Sequence, residues 1–144
     1  MTTITKSALV EYSAEQMYRL VDDIPRYAEF LPWCRKSTEI ERTDEEVRAR
    51  LEIAHSGLHK SFTTSNRLLK NRSIEIHLVE GPFRHLYGIW RFEPLGDGQA
   101  SKVMLEMDFE FSSKLLSMTF GKVFTFIAST LVDAFVKRAK EIYG

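Results

Sequence analysis

The chain has 144 residues, of which 44% are hydrophobic and 28% are charged, and this suits one globular domain, residues 1–144, with its own core. Its 20 basic and 20 acidic residues give zero formal net charge, so no overall field attracts DNA. The single cysteine, Cys34, excludes an internal disulfide framework, and residues 1–6 lack the apolar run of a signal peptide. We therefore expect an unexported, cytoplasmic protein.

The first quarter of the chain predicts one strand and then two short helices. Residues 4–12 alternate weakly between apolar and polar side chains, as a strand does. Ser13 and Gln16 have the spacing of a capping box and predict the first helix. Pro25 is tolerated in the first turn of the second helix, and that helix ends at the run Phe30-Leu31-Pro32-Trp33-Cys34.

Between Cys34 and Phe111 the hydrophobic period becomes two, which predicts about six strands. The clearest candidate is 103–111, where every second residue is apolar. Short turns such as Gly81-Pro82 connect the runs, and a parallel crossover would need a dozen or more residues. With the N-terminal strand, the prediction is an antiparallel meander of about six to seven strands.

The last segment, 113–143, predicts one long helix that is expected to bend at Gly121. Its Lys122 and several hydroxyl side chains argue against a membrane span. The segment has more apolar surface than one core-facing stripe requires. The surplus lies near the start of the helix, at Leu115, Met118, Phe120 and Phe126.

Residue sizes on the predicted inner face of the sheet suggest a cavity beneath this helix. Small residues leave room, and an unfilled void in a core is costly unless something occupies it. We expect the cavity to open near residues 30–33. The inner face mixes large aromatic residues with small or polar ones: Phe62, Trp90 and Phe109 with Ala49, Thr64, Asn66 and Gly88.

No residue pattern predicts catalysis, a metal site or a cofactor. His55 and His59 flank a turn that contains glycine, so no helix holds them as metal ligands. Cys34 follows Trp33 in an apolar run, where a buried, inert thiol is more usual than a nucleophile. The acidic residues of 106–110 fall on the outer face of their strand, where solvation explains them.

Four runs of residues resemble one known family: residues 12–18, residues 27–34, Gly81-Pro82-Phe83 and Trp90-Arg91-Phe92. They are similar to the coenzyme Q-binding proteins of the START-like, or helix-grip, superfamily, whose bacterial members include the RatA ribosome association toxins. The resemblance covers essentially the whole chain. It implies an α+β helix-grip fold, in which a curved antiparallel sheet grips a long C-terminal helix around an apolar cavity, with two short helices after the first strand.

The resemblance implies a non-catalytic protein that binds an isoprenoid quinone of the ubiquinone type, as a carrier or chaperone supporting respiratory electron transport. Its partners would then be this hydrophobic molecule and, transiently, the inner face of a membrane. The toxin branch implies binding to the large ribosomal subunit and a block of subunit association. A third alternative is a polyketide cyclase-like enzyme. Zero net charge weighs against avid RNA binding, but one sequence leaves these alternatives open.

The candidate ligand-binding residues are apolar side chains of the expected cavity and its mouth, together with two inward polar residues. For the residues at the mouth, the family resemblance favours a position in the cavity wall over a position in the packed core. The full set is Phe30, Leu31, Pro32, Trp33, Phe62, Thr64, Asn66, Phe83, Trp90, Phe109, Leu116, Phe120, Phe124 and Ile127.

Basic residues on strand edges and turns form a separate candidate surface. If they meet in the fold, they would favour lipid headgroups or ribosomal RNA as a partner. They are Arg35, Lys36, Arg42, Arg67, Lys70 and Arg72.

Overall fold

A computed structural model describes all residues, 1–144, and contains one seven-stranded antiparallel sheet. The order β1-β7-β6-β5-β4-β3-β2 is a meander in which the first strand joins the edge beside the last. This confirms the predicted sheet. The strands are β1 (Thr2–Val10), β2 (Cys34–Arg42), β3 (Glu46–His55), β4 (Leu58–Leu69), β5 (Ser73–Glu80), β6 (Phe83–Leu95) and β7 (Ala100–Phe111).

Two short helices follow the first strand, as predicted: α1 (Ala14–Asp22) and, after a 3-10 turn at Ile24–Arg26, α2 (Tyr27–Phe30). The capping box at the start of α1 is present. The Ser13 hydroxyl accepts a hydrogen bond from the backbone N–H of Gln16 at 3.1 Å, and the Gln16 side chain accepts one from the backbone N–H of Ser13 at 2.8 Å. Two orphan donors of the helix N-terminus are thereby satisfied.

The C-terminal segment is two helices, α3 (Lys114–Thr119) and α4 (Gly121–Tyr143), rather than the single helix predicted. The break falls at Phe120, directly before Gly121, where a bend was expected. No residue of α3 is buried, whereas Phe120 is completely buried. The prediction that Phe120 belongs to the surplus surface is therefore wrong, because its ring packs against those of Phe83, Phe111 and Phe124.

Alternating burial along the strands sets the inner face. In β7 every second residue from Ser101 to Phe111 is buried. At the end of this face near α3, five rings form an aromatic cluster in which contacting centroids lie 4.8 to 6.5 Å apart. Offset and edge-to-face contacts of this kind stabilise a core beyond simple area burial. The aromatic cluster consists of Phe83, Phe109, Phe111, Phe120 and Phe124.

Arg42 joins the edge strand β2 to α1. Its guanidinium donates hydrogen bonds to the Asp22 carboxylate and the Asp22 carbonyl oxygen, both at 3.0 Å, and to the Glu39 carboxylate at 2.8 Å. Burial raises the pKa of the Asp22 carboxyl, and the hydrogen bond from Arg42 opposes that rise. Arg42 therefore favours the charged form of a partly buried carboxylate whose burial favours the neutral form.

Replacing Arg42 with glutamine is expected to raise the pKa of Asp22 further and to lower the free energy of unfolding at neutral pH by about 1–2 kcal/mol. An acid whose pKa is higher in the folded state opposes folding once pH rises above that pKa, because the folded protein must hold the charged form. The loss should therefore shrink as pH falls and Asp22 takes up a proton. Urea unfolding of both proteins from neutral to acid pH measures this.

Arg19→Gln is the matched control for that experiment. Arg19 pairs with Glu15 one turn away, and both side chains are more than half exposed. Exposed pairs of this spacing contribute roughly 0.3–0.5 kcal/mol. If Arg42→Gln lowered the free energy of unfolding by the same amount at every pH, the loss would come from packing and not from the charge of Asp22.

Candidate functional site

A cavity of about 70 Å³ lies between the inner face of the sheet and α4. The structure thus has a cavity where the residue sizes predicted one, and Ala49 and Ala128 supply part of the room. Its lining is almost entirely apolar. It comprises Ile24, Tyr27, Trp33, Ala49, Leu51, Ile53, Phe62, Thr64, Asn66, Ile76, Leu86, Trp90, Met107, Phe124, Ile127, Ala128, Leu131 and Phe135.

Two polar side chains, Thr64 and Asn66, reach this lining from the inner face of β4. Both are buried, and Asn66 is only 8% exposed. The side-chain carbonyl oxygen of Asn66 accepts no hydrogen bond. A buried polar atom without a partner costs about 1–3 kcal/mol, so the cavity contains a polar position that the protein leaves unsatisfied.

Tyr27 is the one titratable side chain in the lining. Its hydroxyl donates a hydrogen bond to the carbonyl oxygen of Val21, and burial raises its pKa well above the usual value. Tyr27 therefore stays protonated, with its proton already engaged. The lining therefore offers a ligand mainly apolar contacts, together with the unpartnered side-chain amide oxygen of Asn66.

A larger groove of about 380 Å³ lies outside the cavity, where the opening was predicted. Trp33 and Ile127 line both spaces, so these two side chains form the wall between them, which we call the gate. The groove is lined by Phe30, Leu31, Pro32, Trp33, His55, Phe126, Ile127, Thr130, Asp133, Ala134, Lys137 and Glu141.

The loop that carries Trp33 is held on two sides. The backbone N–H of Ala54 in β3 donates to the carbonyl oxygen of Trp33 at 2.9 Å. On the other side, the Phe30 ring packs edge-on against Phe135 of α4, with centroids 5.2 Å apart. The guanidinium carbon of Arg138 lies 4.8 Å from the centre of the Phe30 ring. These contacts hold the backbone beside the gate on both sides.

The predicted ligand-binding residues divide into three groups in the structure. The first group lines the cavity. The second group, Phe30, Leu31 and Pro32, lines only the groove. Phe83, Phe109 and Phe120 instead pack in the aromatic cluster, and Leu116 is half-buried on α3, so these four line neither space. The residues that line the cavity are Trp33, Phe62, Thr64, Asn66, Trp90, Phe124 and Ile127.

Sequence reasoning missed several lining residues. Ala128, Leu131 and Phe135 follow Phe124 and Ile127 at helical spacing, so periodicity could have found them. Ile24 and Tyr27 lie in the 3-10 turn and in the four-residue helix α2, which are too short for periodicity to show which side chains face the cavity. Ala49 was placed on the inner face but not among the ligand-binding residues, and the other strand residues of the lining were missed: Leu51, Ile53, Ile76, Leu86 and Met107.

Exposed apolar side chains lie on α3 and the start of α4, and one of them, Phe126, also lines the groove. Leu115 and Met118 are each 69% exposed, and Phe126 is 57% exposed. Residues 112–132 contain Lys114 and Lys122 but no aspartate or glutamate. We call Leu115, Met118 and Phe126 with these two lysines the α3 surface. None of the helices is both long enough and apolar enough to cross a bilayer.

The six basic residues singled out in the sequence do not form one cluster. Arg42 is held by carboxylates. Arg35 and Lys36 lie at the start of β2, which is paired with the end of β3, whereas Lys70 and Arg72 lie at the turn after β4, at the opposite end of the sheet.

The histidines and the cysteine do not build a metal or nucleophile site. No group of three histidine, cysteine, aspartate or glutamate side chains could hold a metal ion. Burial raises the pKa of the Cys34 thiol, and the thiol donates to the carbonyl oxygen of Lys36 at 3.6 Å. Such a thiol is mainly protonated at neutral pH and a poor nucleophile.

Residues 10–136 match the family model described as polyketide cyclase / dehydrase and lipid transport. The chain is 47% identical over 144 residues to the ribosome association toxin RatA of Vibrio cholerae, covering 100% of the chain and 99% of that protein. It is 30% identical to the mitochondrial coenzyme Q-binding protein COQ10 homolog B of Xenopus laevis, covering 97% of the chain and 59% of that protein. The structure is similar to the Zhui aromatase/cyclase from Streptomyces sp. R1128, with a TM-score of 0.87, 18% identity, and coverage of 99% and 96% of the two chains.

Proposed function

Because this chain belongs to the polyketide cyclase / dehydrase and lipid transport family, we propose that it is a START-like binding protein that acts on ribosome association. The observation that carries this proposal is 47% identity across all 144 residues to a ribosome association toxin. The coenzyme Q-binding relative is more distant, at 30%. We therefore favour ribosome binding over quinone binding, which was the first hypothesis from the sequence alone. The protein would act in the cytoplasm.

Sedimentation through a density gradient tests this function. Purified protein is expected to co-sediment with isolated large ribosomal subunits and to reduce the fraction of associated ribosomes when the two subunits are mixed. Binding should weaken as salt is raised, because contact with RNA phosphates releases counterions. Small subunits alone are the control. Failure to sediment with large subunits even at low salt would contradict the proposal.

A second candidate function, the binding of a hydrophobic ligand, is supported by the cavity and the groove outside it. Apolar burial contributes about 25 cal/mol per Å². Pockets for drug-sized ligands usually measure roughly 300–1,000 Å³, and the cavity is only about 70 Å³. An isoprenoid quinone would therefore place its ring in the cavity and its tail in the groove of about 380 Å³, with Trp33 and Ile127 turned aside.

Lipid extraction tests the quinone. Protein purified from its own cytosol, or incubated with quinone-loaded vesicles and separated from them, is expected to carry a prenyl lipid that mass spectrometry identifies after solvent extraction. Protein that carries no prenyl lipid by either route would contradict the quinone as ligand. It would leave the ribosome experiment unaffected.

The α3 surface supports transient contact with an anionic membrane, from which such a ligand would be loaded. Exposed apolar side chains beside lysines, without acidic neighbours, suit a negatively charged lipid surface. The double variant Leu115→Asp with Met118→Asp is expected to lose most of its co-sedimentation with vesicles that contain phosphatidylglycerol. Both side chains are exposed in the wild type, so the fold should persist.

Leu69→Asp is the matched control for the vesicle experiment. Leu69 is 62% exposed but is the last residue of β4. It therefore lies at the opposite end of the sheet from His55, the residue at the β3–β4 turn that Phe126 of the α3 surface stacks on. Vesicle binding that is equal in the double variant and in wild type would contradict the membrane contact. Loss of large-subunit binding, with vesicle binding unchanged, would assign the α3 surface to the ribosome.

A further inference from the structure

Asn66 differs from the other cavity residues because its buried side-chain oxygen has no hydrogen-bond partner in the protein. Nearly all buried polar groups in native proteins have a hydrogen-bond partner, yet the carbonyl oxygen of this 92%-buried side chain has none. A leucine has the same branched side chain, with methyl groups in place of the amide oxygen and nitrogen, and would leave no polar atom unsatisfied at this apolar wall. The asparagine therefore points to a partner from outside the chain.

The neighbours of Asn66 explain why no protein group satisfies it. In the sheet, Asn66 pairs with Val47 of β3 and Ile76 of β5, so apolar side chains flank it on both sides. The nearest polar residue on the same face of its strand is Thr64, two residues away, which corresponds to roughly 6–7 Å along the strand. The partner has to approach from the cavity.

A lone water is a poor partner here. Buried waters typically make about three hydrogen bonds, and on the strand face of Asn66 the lining offers a water only the Thr64 hydroxyl besides the Asn66 amide. The other polar groups of the lining are the Tyr27 hydroxyl and the indole N–H groups of Trp33 and Trp90. Tyr27 already donates its proton to Val21. A molecule that offers one hydrogen-bond donor and is otherwise apolar fits this environment better than water does.

We propose that Asn66 sets the ligand specificity of the cavity. The cavity takes the hydroxyl-bearing end of an apolar molecule, a phenol-type or quinol-type ring, whose O–H donates to the side-chain oxygen of Asn66. The rest of the ligand extends past Trp33 and Ile127 into the groove. This inference rests on the hydrophobic-ligand part of the proposed function and names the chemical group that this ligand must carry.

Two small probes of similar shape test the proposal: p-cresol, which carries the hydroxyl, and toluene, which has hydrogen in its place. Titration of the full chain, followed by NMR of the Asn66 side-chain amide and by calorimetry, gives both affinities. Wild type is expected to bind p-cresol about tenfold more tightly than toluene, as one net hydrogen bond predicts. Asn66→Leu should bind the two about equally, with toluene no weaker than in wild type.

Ser65→Ala is the matched control, because it removes a polar group of the same strand from the opposite face, where the Ser65 hydroxyl donates to the Glu46 carboxylate at 2.6 Å and lines no part of the cavity. It should retain the preference for p-cresol. Equal binding of both probes by wild type, or an unchanged preference in Asn66→Leu, would overturn the role of Asn66 and leave cavity binding standing. If wild type bound neither probe, cavity binding itself would fail together with this inference. The wild-type preference and the Asn66 amide shift need no variant, so they test the proposal even if Asn66→Leu does not fold.

Discussion

Replacing Phe120 with alanine is expected to lower the free energy of unfolding by about 3–5 kcal/mol. Phe120 is completely buried, and its ring contacts those of Phe111 and Phe124 at centroid distances of 5.7 and 5.8 Å. Truncation would leave a void at the junction of α3 and α4, where the aromatic cluster holds both helices to the sheet. Urea unfolding at neutral pH measures the loss.

Phe126→Ala is the matched control, since it makes the same change six residues later in the chain. Phe126 is 57% exposed and stacks only loosely on His55, with ring centroids 6.2 Å apart. Surface substitutions usually change stability by no more than about 0.5 kcal/mol. Equal losses in the two variants would show that the aromatic cluster is not the main support of the junction.

Gly81→Ala is expected to destabilise the protein by about 3 kcal/mol, at the upper end of the range for overpacking. Gly81 lies in the turn between β5 and β6. A Cβ atom added there would lie 2.6 Å from the Cβ of Phe62 and 3.3 Å from its Cα. Phe62 belongs to the middle strands of the sheet and to the cavity wall, so it can yield only if β4 shifts.

Gly57→Ala separates this clash from backbone strain. Gly57, in the turn between β3 and β4, also has a positive φ, +80°, but an added Cβ would meet nothing within 4 Å. Its cost should be limited to roughly 1–2 kcal/mol of left-handed backbone strain. Thermal unfolding of both variants compares them, and a Gly81→Ala protein no less stable than Gly57→Ala would show that Phe62 moves freely.

The sheet could be predicted from the sequence because strand alternation is a local signal. The buried positions of β7 follow directly from every second residue being apolar. The junction of α3 and α4 could not be placed in the same way. Apolar residues recur at helical spacing straight through Phe120, and only the packing of that ring on Phe111 shows where the helix is interrupted.

The candidate site was predictable in kind but only partly in detail. Trp90 and Phe109 both face inward from neighbouring strands, and alternation treats them alike. They differ because the start of α4 covers Phe109 with Phe124, at a centroid distance of 4.9 Å, whereas Trp90 lies beside the space that Ala128 leaves open. That distinction depends on where the helix crosses the sheet, which no local pattern records.

The ribosome proposal rests on relatives, because charge does not identify an RNA-binding face. Cations at the two ends of the sheet are too far apart to act as one patch. Outward-facing arginines on β6 are matched by glutamates on β7, as in the pairs Arg84 with Glu110 and Arg91 with Glu106. A chain with zero net charge would have to recognise a ribosome through shape and apolar contact as well as through phosphates.

Trp33 and Ile127 are almost fully buried and line both the groove and the cavity, so a ligand of the proposed kind that occupied both spaces would have to displace these two side chains. A barrier of this kind slows entry and release by the same factor, so it leaves the equilibrium constant unchanged. The residence time of a bound molecule is then governed by side-chain motion. A ligand of the proposed kind would then be released slowly even if it bound weakly.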